Sequence, residues 1–310
     1  MTRKEKSGFT QKLENSIEFF EDLRIEATDV SPLLTQEEDE IRSEGVTMDL
    51  QLRDRLSLIT GSTAGIGYAI AEALAREGAS VIINGRSQES VDRAIARLIP
   101  KATGKLLGFA GDLSKAETAE QIARKYPDVE ILINNLGIFE PMVFEDISDD
   151  DWRRFFEVNV MSGVRLSRLY LPSMKNRDWG RIVFISSESA VQIPAEMIHY
   201  GMTKTAQLAI SRGLAEHVAG TGITVNSILP GPTKSRGVGD FVEELAKKEG
   251  KSFEEFEIEF FQKMRPTSLI KRFAAPAEVA SLVAYIVSPL ASATTGAALR
   301  VDGGVVKSAF

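Results

Sequence analysis

The stretch Leu56–Leu74, LSLITGSTAGIGYAIAEAL, runs from a short apolar segment through glycines at 61, 65 and 67 into an amphipathic segment. A strand, a tight turn and a helix in that order open a βα unit. Glycine there lets backbone N–H groups approach an anion at the positive end of the helix. A tight turn can also need glycine for backbone reasons alone, so the stretch speaks for a fold before it speaks for a ligand.

Outward from this unit, short apolar or β-branched runs recur at 80–84, 105–110, 130–135, 181–186, 223–229 and 297–301. Longer amphipathic segments such as SVDRAIARLIP (90–100) fall between them. Continuous apolar strands separated by helices imply a parallel sheet covered on both faces, because parallel strands need crossover connections. The pattern predicts an α/β chain: one doubly wound, parallel, seven-stranded sheet spanning 48–310, preceded by an extension over 1–47.

Composition narrows the function. The chain has 310 residues, 43% of them hydrophobic and 26% charged, enough to bury a large core. The absence of cysteine excludes disulfides and thiolate chemistry, and two histidines argue against a zinc centre, so no metal is expected. No apolar run approaches the roughly 20 residues of a membrane helix, and the amino terminus lacks the apolar core of a secretory signal, so neither a membrane nor export is expected and the default is cytoplasmic. A net charge of −7 argues against nucleic acid as a partner. Most of that acidity belongs to the extension, with 12 Asp+Glu against 6 Lys+Arg in residues 1–47.

Two regions stand outside the repeat. In the extension, Phe9, Leu13, Ile17 and Phe20 have helical spacing, and TQEEDE (35–40) reads as a solvated linker. The charged segment 236–273 reads as a helical insertion, either a substrate lid with its several phenylalanines or a plain surface excursion.

Further along stands HYGMTK (199–204), with Tyr200 and Lys204 four apart and therefore on one helix face. Four residues after the other tyrosines, 68, 126, 170 and 285, come Glu72, Glu130, Met174 and Pro289, so the pairing is peculiar to Tyr200. A free tyrosine, with a pKa of about 10, is a poor acid–base group at neutral pH. An ammonium about 4 Å away, at an effective dielectric near 20, would favour phenolate by about 4 kcal/mol.

Together with TGSTAGIG (60–67), NNLG (134–137), the serines 186–187, PGPTKS (230–235) and RVDGG (300–304), YGMTK (200–204) resembles the motif series of the short-chain dehydrogenase/reductase family, in the family's order and over 48–310. The resemblance implies a Rossmann-fold oxidoreductase that interconverts a small-molecule alcohol and a carbonyl with a nicotinamide dinucleotide. It assigns Tyr200 as general acid/base, Lys204 as the charge that tunes it and binds the nicotinamide ribose, Ser187 as the hydrogen-bond donor to the substrate oxygen, and Asn159 as holder of a water in a proton relay. Ser186 is the neighbour that competes with Ser187, but the 13-residue spacing to Tyr200 prefers Ser187. Asparagine within a helix (FFEVNVMSG, 155–163) otherwise reads as a local irregularity.

For the cofactor, the resemblance implicates Gly61, Ser62, Thr63, Gly65, Ile66 and Gly67 in the turn, then Asp112 and Leu113, Asn135 and Gly137, and Pro230, Gly231, Thr233 and Ser235. Gly85 replaces the acid that would hold a ribose 2′-hydroxyl, and Arg86 follows it, which favours NADP(H) over NAD(H); a solvated turn is the other reading of Arg86. Asp112 could equally cap the following helix. His199 is read as pocket wall or packing, and His217 as a residue at a helix end. The four-residue Tyr–Lys spacing argues against an enoyl reductase. The other class weighed is a catalytically silent dinucleotide-binding regulator or scaffold, whose mark would be a broken tetrad. A homotetramer or homodimer, built through the helices carrying Asn159 and Tyr200, is expected by resemblance.

Overall fold

The computed structural model of the chain describes residues 48–235 and 251–309. The expected amphipathic segment and acidic linker in 1–47, and the first part of the 236–273 insertion, lie outside the described residues.

All seven expected strands form, each within one or two residues of its sequence limits: β1 Leu56–Ile59, β2 Ser80–Gly85, β3 Leu106–Ala110, β4 Ile131–Asn134, β5 Gly180–Ile185, β6 Ile223–Pro230 and β7 Ala298–Val301. They make one sheet in the order β3-β2-β1-β4-β5-β6-β7, with every neighbouring pair parallel. The order reverses between β1 and β4. A crevice opens beyond the carboxyl ends of strands at such a reversal, and that is where a ligand fits.

Between the strands run α1 Gly65–Arg76, α2 Gln88–Leu98, α3 Ala116–Lys125, α4 Asp149–Phe156, α5 Ser162–Arg177, α6 Ile198–His217, α7 Phe253–Lys263 and α8 Pro276–Ile286. Strand side chains alternate faces, and the core divides accordingly. Ile59, Ile83, Ile133 and Ile185 join the cluster that buries Leu74 of α1 and Val283 of α8. Leu58, Ile82, Leu132 and Phe184 join the opposite cluster, with Ile122 of α3 and Tyr170 of α5. Burial on both faces is why the strands read as continuous apolar runs.

Local chemistry sets several helix starts. Ser87 accepts from the Ser90 N–H at α2, and Ser148 with Asp151 and Ser252 with Glu255 form reciprocal caps at α4 and α7. The start of α1 differs: Ala64 caps with no side chain, and the first turn holds no acid. Its first N–H groups therefore have no side-chain acceptor among the described residues.

Candidate active site

The crevice is a cavity of about 870 Å³ that runs from the glycine turn at Gly65 and Gly67, past Gly137, Ser187, Tyr200 and Lys204, to a wall formed by α7. At the turn, Gly61 and Gly65 take φ of +62° and +59°, which side chains disfavour. A Cβ on Gly67 would lie 2.5 Å from Asn135 Nδ2 and 2.6 Å from the Gly61 carbonyl oxygen. The third glycine is thus required by the close approach of α1 to the turn.

Three groups brace this turn. Asn135 Nδ2 donates to the carbonyls of Thr60 (2.8 Å) and Gly61 (3.2 Å). Asn84, at the end of β2, accepts from the Gly61 N–H at 3.0 Å and donates to the carbonyls of Phe109 and Gly111, each at 3.1 Å. Ser62 is fully buried; its hydroxyl donates to Ile59 O and accepts from Asn84 N. Ser62 therefore supports the turn from behind. A bare helix terminus, glycines where a side chain would clash and no acid in the first turn together suit a pyrophosphate.

Gly85 closes β2, and a Cβ there would meet Thr63 Cγ2 at 2.5 Å. Thr63 thus occupies the space through which an acid at position 85 would project. Arg86 is exposed beside it. Asp112 caps no helix: α3 begins after Lys115, while Asp112 Oδ1 accepts from both N and Oγ of Ser114 in a local turn. Leu113 is packed into the core. On the other side of the crevice, Pro230, Gly231, Thr233 and Ser235 all line the cavity. A Cβ on Gly231 would meet the Asp302 carbonyl oxygen at 2.5 Å, so the PGPTKS and RVDGG segments touch backbone to backbone.

The four residues singled out for chemistry converge from three elements. Asn159 stands in a π-helical segment, Glu157–Met161, between α4 and α5. Its Nδ2 donates to Ile138 O and Thr203 Oγ1, each at 3.0 Å, and its Oδ1 accepts from Ile138 N at 2.8 Å. The side chain thus ties the loop after β4 to α6. A π turn releases a backbone carbonyl from the helical ladder. That of Asn159 accepts from Gln207 Nε2 at 2.6 Å, and Gln207 Oε1 accepts from Lys204 Nζ at 3.4 Å.

Lys204 is buried and donates also to Ile185 O at 2.9 Å. Burial pulls its pKa down to about 8. Its Nζ lies 5.6 Å from the Tyr200 ring centroid. Tyr200 faces the cavity but is otherwise packed in protein, and this desolvation pushes its phenol above the usual 10, opposed by the Ser187 hydroxyl and Arg265 and reinforced by Glu188. The lowering expected from Lys204 is not among these causes, of which burial is the largest. Desolvation penalises the charged form of each group.

Ser186 and Ser187 follow β5, and their bonds separate them. Ser186 Oγ donates to Lys204 O at 2.9 Å, a backbone tie. Ser187 Oγ accepts from Ser189 N at 3.1 Å and donates to Glu188 Oε2 at 2.5 Å. Glu188 is itself buried and paired through Oε1 with Arg265 Nε at 3.2 Å.

His199 lies off the cavity. It is fully buried with its ring 4.0 Å from that of Phe155, and neither nitrogen has a hydrogen-bond partner among the described residues. Of its two expected roles, packing is the one observed. His217 ends α6, where its Nε2 meets Lys175 Nζ at 3.0 Å.

Asn84, Glu188, Gln207 and Arg265 were not singled out from the sequence. Gln207 carried a usable signal, since it is three residues after Lys204 on one helix face. Arg265 carried none, because its partner is 77 residues away.

The family described as Enoyl-(Acyl carrier protein) reductase matches residues 61–306. The chain is 50% identical over 264 residues to the Uncharacterized oxidoreductase YvaG of Bacillus subtilis, which covers 85% of this chain and 100% of that protein. It is 34% identical over 260 residues to the D-beta-hydroxybutyrate dehydrogenase of Cupriavidus necator, covering 82% and 99% respectively. The structure of L-sorbose reductase from Gluconobacter frateurii, complexed with NADPH and L-sorbose, superposes with a TM-score of 0.79 at 32% identity, covering 84% of this chain and 100% of that one.

Proposed function

The chain belongs to the short-chain dehydrogenase/reductase family, and from that premise we propose that it reduces a carbonyl to an alcohol with NADPH, Tyr200 donating the proton. As an oxidoreductase of this family it acts on CH–OH groups and takes a nicotinamide dinucleotide. The observation that carries the finer reading is the meeting of Tyr200, Ser187 and Lys204 in one cavity whose other end is the glycine turn.

The bound nicotinamide supplies the hydride. Gly65, Ile66 and Gly67 would hold its pyrophosphate, with Asn135, Gly137, Thr233 and Ser235 along the crevice and Lys204 at the ribose. Tyr200 is a protonated phenol at neutral pH and so carries the proton that the acid in reduction must give. Ser187, whose hydroxyl donates to Glu188 Oε2, would turn that proton to the substrate oxygen, where a donor aimed at developing negative charge is most effective. Asn159 and Gln207 fix Lys204 in place. The four-residue Tyr–Lys spacing favours C=O over C=C as the bond reduced, in spite of the enoyl reductase description of the matching family.

Two features support NADPH over NADH: Thr63 fills the space an acid at position 85 would need, and Arg86 is exposed and free of carboxylate partners among the described residues. The exposed Phe156 and Leu169, on the α4–α5 stretch that carries Asn159, support the Asn159 side of an oligomer built through the helices of Asn159 and Tyr200. The test is a screen of aldehydes, ketones, sugars and 3-oxoacyl thioesters, followed by nicotinamide absorbance with NADPH and with NADH. Oxidation of NADPH by none of them, in a protein whose melting temperature NADPH raises, would overturn the reading.

A further inference from the structure

Glu188 borders the reacting end of the cavity, against the hydroxyl of Ser187 at 2.5 Å. Its other oxygen holds Arg265, whose Nη1 reaches Glu196 Oε1 at 3.4 Å. Arg265, which follows α7, is only 11% exposed in its side chain, and Glu188 only 7%. The other cations on the wall are also engaged: Lys263 pairs with Glu259, and Lys204 donates to Ile185 O and Gln207. The remaining surface is largely apolar, with Phe139, Met197, Phe256, Phe260 and Met264 facing the same space.

Resting on the reading of this cavity as a carbonyl-reduction site, we propose that the Glu188–Arg265–Glu196 cluster makes it selective for uncharged carbonyl substrates with an apolar body, and against carboxylates. Arg265 is the natural anchor for a substrate carboxylate, because guanidinium matches that group bidentately. Here it is shared between two carboxylates of the protein. A substrate carboxylate near the reacting carbon meets the charge of Glu188 and has to displace it to reach Arg265. A neutral ketone or ester meets no such repulsion and covers the phenylalanine and methionine wall. Rejection by a like charge is how such discrimination is commonly achieved. Glu188 and Arg265 are thus specificity residues, joined across 77 positions.

The test uses pairs that share one carbonyl: ethyl acetoacetate against acetoacetate, and methyl benzoylformate against benzoylformate. In the full-length wild type with NADPH, kcat/KM for the ester is expected to exceed that for the acid by about tenfold or more. In Glu188→Gln the ratio falls toward unity as Arg265 becomes available, and Glu196→Gln, at a more exposed site, moves it the same way. A second readout does not need turnover. With NADP⁺ present, the ester raises the melting temperature of the wild type more than the acid does, and Glu188→Gln narrows that difference. An acid that is reduced or bound as well as its ester by the wild type, a ratio unmoved in both variants, or no binding of either pair overturns the inference. If the esters shift the melting temperature selectively but no carbonyl is reduced, the inference stands and the proposed activity falls.

Discussion

Gln207 donates its side-chain amide to the main-chain carbonyl of Asn159 at 2.6 Å, and its oxygen faces Lys204 Nζ at 3.4 Å. One residue thus satisfies the carbonyl released by the π turn and gives the buried lysine an acceptor. Gln207→Leu keeps the volume but leaves that carbonyl unpaired, at a cost of about 1–3 kcal/mol. A urea denaturation midpoint equal to that of the wild type would mean the bridge contributes nothing.

Tyr200→Phe removes the proposed proton donor without altering the crevice. Turnover is expected to fall by about 100-fold or more, while NADPH still raises the melting temperature by nearly the wild-type amount. Wild-type turnover in this variant would assign the acid elsewhere.

The proposed preference for NADPH rests in part on the closeness of position 85 to Thr63. Arg86→Leu is expected to reduce the melting shift given by NADPH and leave that given by NADH. Gly85→Asp alone is expected to be disruptive, since its Cβ would lie 2.5 Å from Thr63 Cγ2 and 2.8 Å from Ser90 Oγ, whereas Gly85→Asp with Thr63→Gly relieves the closer of these contacts and raises affinity for NADH. Additive effects of the two changes in a double-mutant cycle would contradict this coupling.

Acid stability should reflect His199. Burial lowers its folded pKa below 6.5, so the unfolded chain binds the proton more readily. The penalty is absent well above pH 6.5 and grows as pH falls through 6.5 toward the folded value. His199→Leu is expected to flatten this part of the stability–pH curve. An unchanged slope between pH 7 and pH 5, about the window in which histidine titrates, would place the acid sensitivity in other groups.

Much of this molecule was legible in its chain. The seven strands declared themselves through apolar runs of strand length, because burial on both sheet faces leaves no polar alternation to obscure them. The glycines at 61 and 65 were legible because backbone geometry there admits little else. Tyr200 and Lys204 were legible because a helix brings positions four apart onto one face. Asp112 was misjudged as a possible cap because a local turn to Ser114 has the same short-range chemistry as a helix start.

Local pattern and short-range geometry thus determined the strands, the cradle and the candidate proton donor from the sequence alone. Only the tertiary structure decided what each polar group does with its charge. It set Gln207 against Asn159, 48 positions apart, and Arg265 against Glu188. It also packed Tyr200 among protein groups, and that burial raises the phenol. Proton affinity and specificity depend on burial and on partners distant in the chain, and these are fixed only when the sheet brings its loops together.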